Sequence, residues 1–218
     1  IKEKSDLNAK NIKLESSNSK FDLKLNGKEE TINVPVGGEH FILNSLCAAM
    51  VGKVLKIDNQ KIKEGIESFE LTKKRMDITE LENGVKVIND AYNASLESMK
   101  ASLGVLSEFK ENRKIAILGD MFELGKYSKE LHKKVGEEVI KNKIDILICS
   151  GTNSKYIIEK AREKMKDENV YYLENKEEIL EVLKEVIKPG DVVLLKASNG
   201  MKFYELAERM ISLWKKKD

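Results

Sequence analysis

The sequence predicts an α/β protein with a Rossmann-like, mostly parallel sheet, helices on both faces and an antiparallel hairpin at the start of that sheet. After Ser95, short apolar runs alternate strictly with longer segments of helical period. Strands that are separated by helical crossovers run parallel in one sheet. Just before this region, Asn83-Gly84 separates two short alternating runs, which is the pattern of a tight hairpin.

The first third of the chain predicts a smaller unit, formed by a small antiparallel β unit and two helices. Asn26-Gly27 marks a turn between two strands, and Gly37-Gly38 ends the alternating pattern. Ile62, Ile66 and Phe69 recur at the spacing of one helical face, which we expect to pack on a core. The predicted strands are 12–14, 21–25 and 31–34, and the first predicted helix is 40–55.

The patterns change near Thr72, where we predict a boundary between domain 1–72 and domain 73–218. In the second domain, Asn175 with Glu178 three residues later indicates a helix cap, and Pro189-Gly190-Asp191 indicates a stop before the last strand. The predicted strands are 76–81, 85–88, 114–118, 144–149, 170–173 and 192–195, and the predicted helices are 95–109, 128–141, 153–165, 175–187 and 200–214.

The composition favours a cytoplasmic protein and gives no reason to expect nucleic acid as a partner. Among 218 residues, 39 basic and 37 acidic side chains leave a formal charge of only +2. No apolar run approaches the ~20 residues that span a bilayer, so we expect no membrane span. Cys47 and Cys149 stand in apolar surroundings without a metal-ligand cluster, so we expect two buried thiols and no metal site. Ile1 begins in mid-pattern, which suggests a fragment of a longer protein.

Polar residues collect where the predicted parallel strands end, the edge at which ligands bind in open α/β sheets. The segment 119–125 follows a buried strand, Ser150-Gly151 and 196–200 follow two others, and Asp90 and Asn93 precede a helix N-terminus. These positions bring a cation, hydroxyls and carboxylates to one edge. The simpler alternative for 119–125 is a loop that turns into a helix, with its aspartate as a cap.

Several enzyme classes are poorly supported by the motifs. The nicotinamide fingerprint G-x-G-x-x-G is absent, and the phosphate loop G-x-x-x-x-G-K-[ST] is absent as well. The only histidines, His40 and His132, have no nucleophile motif near them, so a catalytic triad is not expected.

Five motifs in a fixed order identify a family. They are G-E-H-F-I-L-N at 38–44, N-D-A-Y-N-A at 89–94 with Ser98-Met99, L-G-D-M-F-E-L-G at 118–125, His132, and K-A-S-N-G-M at 196–201. From about Phe21 to the C-terminus, the chain resembles the Mur ligases, and among them the MurF members, which join D-alanyl-D-alanine to UDP-N-acetylmuramoyl-tripeptide.

The resemblance implies a three-domain cytoplasmic enzyme of peptidoglycan precursor synthesis. This chain would hold the tail of the central ATPase domain, 1–72, and the whole C-terminal domain, 73–218. Such ligases use ATP and Mg²⁺ to turn the tripeptide's terminal carboxylate into an acyl phosphate, which the amine of D-Ala-D-Ala then attacks. The phosphate loop would lie outside this chain, so we expect the chain alone to be inactive and the protein to be a monomer.

The resemblance also implies nucleotide-binding roles for individual residues. Asn44 would contact adenine, Asp90 would accept hydrogen bonds from the ribose hydroxyls, and Arg75 would reach the γ-phosphate. His40 belongs to the same motif as Asn44, with a structural place near a helix start as its alternative.

For D-Ala-D-Ala, the candidates are Asn93, Lys196 and Ser198, with Lys196 supplying charge for the carboxylate. The alternative for Lys196 is that it caps the sheet edge or pairs with Asp120. His132 is expected to support the 119–125 loop as a structural partner.

Three positions depart from the family motifs, namely Phe41, the pair Ser95-Leu96 and Asn199, which stands where the family has arginine. An amide does not replace a bidentate cation without weakening anion binding. Two alternatives therefore stay open: another Mur-type or folylpolyglutamate-type ligase, and a noncatalytic α/β binding module.

Overall fold

The computed structural model describes residues 6–70 and 75–214. The chain divides into two compact units, Ile1–Glu70 and Leu71–Asp218. The boundary predicted near Thr72 lies outside the described residues. Within the described parts, no helix is both long and apolar enough to cross a membrane.

The first unit is a three-stranded antiparallel sheet covered by two helices. Alternate residues of the middle strand, Phe21, Leu23 and Leu25, are buried, while their neighbours face outward. Asp58 caps the second helix, because its side chain accepts the amide N–H of Gln60 at 2.9 Å. The elements are β1 (Ala9–Leu14), β2 (Ser19–Leu25), β3 (Lys28–Val34), α1 (Glu39–Val54) and α2 (Asn59–Glu67), and the strand order is β1-β2-β3.

Two expectations for this unit are wrong. Phe69 follows the end of α2 and is 43% exposed, because the helix stops at Glu67 and the last turn closes on Ile66. Cys47 is exposed rather than buried. In α1 the buried positions, among them Leu46 and Ala49, form one face, and Cys47 lies away from it.

The second unit contains a six-stranded sheet in which all neighbouring strands are parallel except the first pair. This confirms the predicted fold class, including the antiparallel hairpin. The last strand of the chain lies in the middle of the sheet, so the ends of strands that are far apart in sequence become neighbours. The strands are β4 (Asp77–Glu80), β5 (Lys86–Asn89), β6 (Lys114–Leu118), β7 (Ile146–Ser150), β8 (Val170–Leu173) and β9 (Val192–Lys196), in the order β4-β5-β9-β6-β7-β8.

Helices cover both faces of this sheet, as predicted. Val87 and Ile115 join one buried cluster with α6 and α7, whereas their strand neighbours Ile88 and Ala116 are buried outside that cluster. On the other face, α3 packs on β6 and β9, α5 packs on β7, and α4 packs against both helices. The helices are α3 (Leu96–Ser107), α4 (Ser128–Lys141), α5 (Lys155–Ala161), α6 (Lys176–Val186) and α7 (Phe203–Trp214).

Candidate functional site

The carboxyl ends of β5, β9 and β6 are linked by backbone hydrogen bonds into one edge. The amide of Asp90 donates to the carbonyl of Leu195 at 3.0 Å, and the amide of Gly119 donates to the carbonyl of Lys196 at 2.9 Å. One residue further on, the amide of Ser198 donates to the carbonyl of Asp120 at 2.9 Å. The residues predicted for chemistry at the ends of these strands are therefore brought together by the strand order.

Asp90 and Lys196 form a buried ion pair at this edge. The Lys196 ammonium lies 2.5 Å from Oδ2 of Asp90, and the side chains are 3% and 12% exposed, respectively. The same Oδ2 accepts the hydroxyl of Ser102 at 2.6 Å, while Oδ1 accepts the amide of Met76 at 3.1 Å. The Asp90 carboxylate thus has three partners within the protein.

Lys196 makes two further contacts from the same ammonium group. It donates to the carbonyl of Asn93 at 3.0 Å and to the carbonyl of Asp90 at 3.3 Å. The alternative expectation that Lys196 pairs with Asp120 is wrong, since its partner is Asp90. The physical reason is the strand order: β9 lies beside β5, and the loop after β5 closes over the end of β9.

Asp120 is buried and acts as a cap, but for a different helix from the one that follows its loop. Its Oδ1 accepts the amides of Asn153 at 3.0 Å and Ser154 at 2.7 Å, directly before α5 begins. A carboxylate there also suits the positive end of the helix dipole. Asp120 therefore orders the ends of two neighbouring strands.

Ser198 and His132 hold the 119–125 loop from two sides. The Ser198 hydroxyl is buried and accepts the amide of Phe122 at 2.8 Å. Nε2 of His132 accepts the amide of Met121 at 3.0 Å, so the proton of the neutral ring is on Nδ1, which donates to the carbonyl of Ser128 at 2.7 Å. Burial lowers the pKa of His132, which favours this neutral form. The predicted structural role of His132 is confirmed.

Other groups at this edge are exposed to solvent. The Arg75 guanidinium stacks over the Tyr92 ring at 4.2 Å from its centroid, and both side chains are exposed. Asn93 is exposed, with its Oδ1 accepting the amide of Ala94 at 2.9 Å, and Asn199 is exposed as well.

The sequence interpretation did not find Ser102 or Tyr92. Ser102 is a hydroxyl on the buried face of α3, among Met99, Leu103 and Leu106. A polar residue on such an apolar face requires a buried partner, and this signal was available. Tyr92 lies inside a motif that the sequence contains, but nothing in the pattern indicated a partner for its ring.

The two predicted nucleotide-binding residues of the first unit lie on the first turns of α1. Asn44 is exposed and lines an apolar groove of about 410 Å³ between α1 and α2, together with Phe41, Ala48 and Ile62. The His40 ring is half-buried and lies 4.1 Å from the Phe41 ring, centroid to centroid. His40 does not line the groove.

Comparison with known families matches residues 74–199 to the model of the Mur ligase glutamate ligase domain. This match covers more than half of the chain and includes the whole carboxyl edge from Arg75 to Ser198. The chain belongs to the Mur ligase family.

Among curated relatives, this Mur ligase chain is similar to two UDP-N-acetylmuramoyl-tripeptide--D-alanyl-D-alanine ligases. It is 32% identical to that of Bacillus subtilis (strain 168) over 188 residues, which are 86% of the chain and 41% of the relative. It is 30% identical to that of Buchnera aphidicola subsp. Baizongia pistaciae over 218 residues, which are 99% of the chain and 46% of the relative. The chain thus spans less than half the length of these relatives.

Solved structures show the same fold. A crystal structure of MurF from Acinetobacter baumannii superposes with a TM-score of 0.85 at 22% identity, over 95% of this Mur ligase chain and 45% of that one. The MurF ligase of Thermotoga maritima, solved in complex with ADP, gives 0.78 at 25% identity, over 97% and 47% of the two chains.

Proposed function

We propose that this Mur ligase chain is part of an ATP-dependent ligase that adds D-Ala-D-Ala to UDP-MurNAc-tripeptide in peptidoglycan precursor synthesis. The observation that carries the proposal is the 32% identity to the Bacillus subtilis enzyme of that name over 86% of the chain. The family match from Arg75 to Ser198 supports it, because the motifs of this stretch fold into one edge.

The chemistry of such a ligase sets what its residues must do. The tripeptide carboxylate attacks the γ-phosphorus of ATP, and ADP leaves. The amine of D-Ala-D-Ala then attacks the acyl carbon, inorganic phosphate leaves, and the amine proton passes to solvent or a base. Negative charge grows on the outer phosphoryl oxygens during the first step, so the protein must present a cation there.

Arg75 is the residue that we propose for this cationic role. Its guanidinium is exposed and has a planar fork of donors that matches phosphoryl oxygens. The ring of Tyr92 lies against one face of the guanidinium, which leaves the edge of the fork free to bind oxygens. Catalysis of the transfer step would then depend on a side chain that is held in place before ATP binds.

Asp90 would bind the ATP ribose through the acceptor capacity that its internal partners leave. A carboxylate has about four acceptor positions. Three of them are taken by Met76, Ser102 and Lys196. One position therefore remains, on Oδ1, and we propose that Asp90 accepts one ribose hydroxyl there instead of two.

In the first unit, we propose Asn44 as the adenine contact. Its carboxamide can donate to and accept from a base edge, and the apolar lining of its groove, including Phe41, suits the faces of an aromatic ring. His40 is proposed as a nucleotide-binding residue of the same motif. Mg²⁺ is proposed as the counter-ion of the ATP phosphates. Within residues 6–70 and 75–214, no three His, Cys, Asp or Glu side chains are grouped to hold a metal.

Of the three residues predicted for D-Ala-D-Ala, Asn93 is the one that a ligand can reach in this structure. Lys196 and Ser198 are buried, so we propose Asn93 as a direct contact and Ser198 as the residue that holds the wall beside it. We further propose that the complete enzyme is a cytoplasmic monomer and that this chain is inactive without its remaining part.

The coding sequence before Ile1 and the product of the complete protein test this proposal. We expect a phosphate loop of the G-x-x-G-K-T kind upstream, and an amide product carrying D-Ala-D-Ala in mass spectra. A product formed with D-Glu or a diamino acid would reassign the ligase. An intact gene without any phosphate loop would favour the noncatalytic binding module.

A further inference from the structure

We propose that Lys196 is a positioning residue for ATP, which acts through Asp90 and the loop after β5, and is not the ligand of the D-Ala-D-Ala carboxylate. This inference rests on the proposed ligase function. It assigns to Lys196 a role on the nucleotide side of the reaction.

The first step of the argument is that Lys196 has no donor left for a substrate. An ammonium carries three protons. The three acceptors are Oδ2 of Asp90 and the carbonyls of Asn93 and Asp90. The side chain is only 3% exposed. A substrate carboxylate could bind only by displacing Asp90, which would leave a buried carboxylate without its cation.

The second step concerns the orientation of the Asp90 carboxylate. Lys196 and Ser102 both bind Oδ2, whereas the amide of Met76 binds Oδ1. These contacts fix the plane of the carboxylate and leave its one remaining acceptor position on Oδ1. Removing the ammonium would allow the carboxylate to rotate, and the ribose contact would lose its fixed direction.

The third step links the same ion pair to Arg75. Met76, the next residue, is buried and has a left-handed backbone with φ of 48°, which a residue other than glycine adopts only when its surroundings hold it there. Its amide is held by Asp90. The ring under the Arg75 guanidinium belongs to Tyr92, in the loop whose Asn93 carbonyl Lys196 binds. Both proposed ATP contacts therefore depend on Lys196.

The test compares KM values for ATP and D-Ala-D-Ala in the complete ligase, with wild-type protein and Lys196→Met. Loss of a hydrogen bond to a charged group corresponds to about 10-fold to 100-fold in affinity. We expect the KM for ATP to rise by about this factor and the KM for D-Ala-D-Ala to stay within about twofold. The reverse split, with the dipeptide KM raised and the ATP KM unchanged, would overturn the inference.

A double-mutant cycle with Asp90→Asn shows whether Lys196 acts through Asp90. If it does, Lys196→Met changes the ATP KM much less in the Asp90→Asn background than in the wild-type background. Effects that multiply would mean that the two residues act independently, which contradicts a positioning role.

Two further variants separate positioning from a general loss of folding. Arg113 and Asp191 form a second ion pair at the opposite edge of the sheet, with 2.6 Å between Arg113 Nη2 and Asp191 Oδ2. Arg113→Met should destabilise the unit but leave both KM values unchanged. Ser102→Ala removes a donor to Oδ2 of Asp90 without changing any charge, so it should raise the ATP KM alone, even if Lys196→Met does not fold.

The outcomes distinguish this inference from the proposed function. A wild-type ligase that releases no ADP with both substrates would overturn the proposed function and the inference together. An active wild-type ligase in which neither Lys196→Met nor Ser102→Ala alters the ATP KM would overturn the inference alone.

Discussion

Buried polar side chains hold the loops at the carboxyl edge of the sheet. Asp90 binds the loop after β5 to the end of β9, Asp120 binds the loop after β6 to α5, and His132 binds that same loop to α4. Within the described residues, no buried side-chain nitrogen or oxygen lacks a hydrogen-bond partner. Polar groups that are buried and fully paired favour one arrangement of these loops, because every alternative leaves a group unpaired.

At this scale we predict that the Asp90–Lys196 pair is strongly coupled in stability. Lys196→Met leaves the Asp90 carboxylate buried without its cation, and breaking such a pair is expected to reduce the free energy of unfolding by about 3–5 kcal/mol. The single tryptophan, Trp214, packs against the core of the second unit and reports its unfolding by fluorescence in urea.

The matched control is the double variant Lys196→Met with Asp90→Leu, which removes both charges. It should recover a large part of the lost stability, since no unpaired charge remains. A loss of less than about 1 kcal/mol for Lys196→Met alone, the range of exposed pairs, would contradict the burial of this pair.

His132 predicts a pH dependence of stability. Burial lowers the pKa of His132 in the folded protein, whereas in the unfolded chain it lies near the ordinary value of about 6.5. Between these two pKa values the unfolded state binds more protons, so the free energy of unfolding falls as the pH falls below about 6.5. Urea midpoints of wild type and His132→Gln at pH 8 and pH 5.5 test this. Equal midpoint shifts in the two proteins would contradict it.

The sequence was informative about residues whose partners are local and uninformative about residues whose partners come from strand order. Asn175 accepts the amide of Glu178 at 3.0 Å, as the spacing predicted, because both groups belong to one helix turn. The pairing of Asp90 with Lys196 joins residues 106 positions apart. Nothing local shows which strands are neighbours, so that pair could not be predicted.

Among the elements, those with a strong period and clear stop signals were predicted best. The structure has β6 at Lys114–Leu118 and α4 at Ser128–Lys141, with the predicted bounds. The helix predicted at 153–165 is shorter, since α5 ends at Ala161 and the next amides, those of Glu163 and Lys164, bond three residues back. Helix ends of this kind depend on tertiary contacts that periodicity does not contain.

Two glycines inside helices test the packing between elements. An added Cβ at Gly136 in α4 would lie 2.7 Å from the carbonyl oxygen of Ile157 in α5. The two helices would have to separate, so we expect Gly136→Ala to reduce the free energy of unfolding by about 1–3 kcal/mol. Urea unfolding monitored by circular dichroism measures the change.

Gly104→Ala in α3 is the control for this prediction, because no heavy atom lies within 4 Å of an added Cβ there. Alanine is the better helix former, so this variant should be more stable by about 0.5–1 kcal/mol. Equal effects of opposite expectation, with both variants destabilised alike, would show that close packing at Gly136 is not the cause.

For the whole molecule, the position of β9 between β5 and β6 determines which chemistry can occur together. It places Lys196 and Ser198 beside both Asp90 and Asp120, whose strands are separated by α3 in sequence. The sequence predicted the fold class and the family, but not this order. Consequently it assigned Lys196 to the substrate, whereas the structure places Lys196 under Asp90.

The most direct test of the central claim is steady-state ADP release by the complete ligase, measured with UDP-MurNAc-tripeptide and D-Ala-D-Ala singly and together. The proposed function predicts release that requires both substrates and ATP, because the acyl phosphate turns over only when the dipeptide amine attacks it. Release that is independent of D-Ala-D-Ala, or that is supported equally by D-Glu or a diamino acid in its place, would contradict this account.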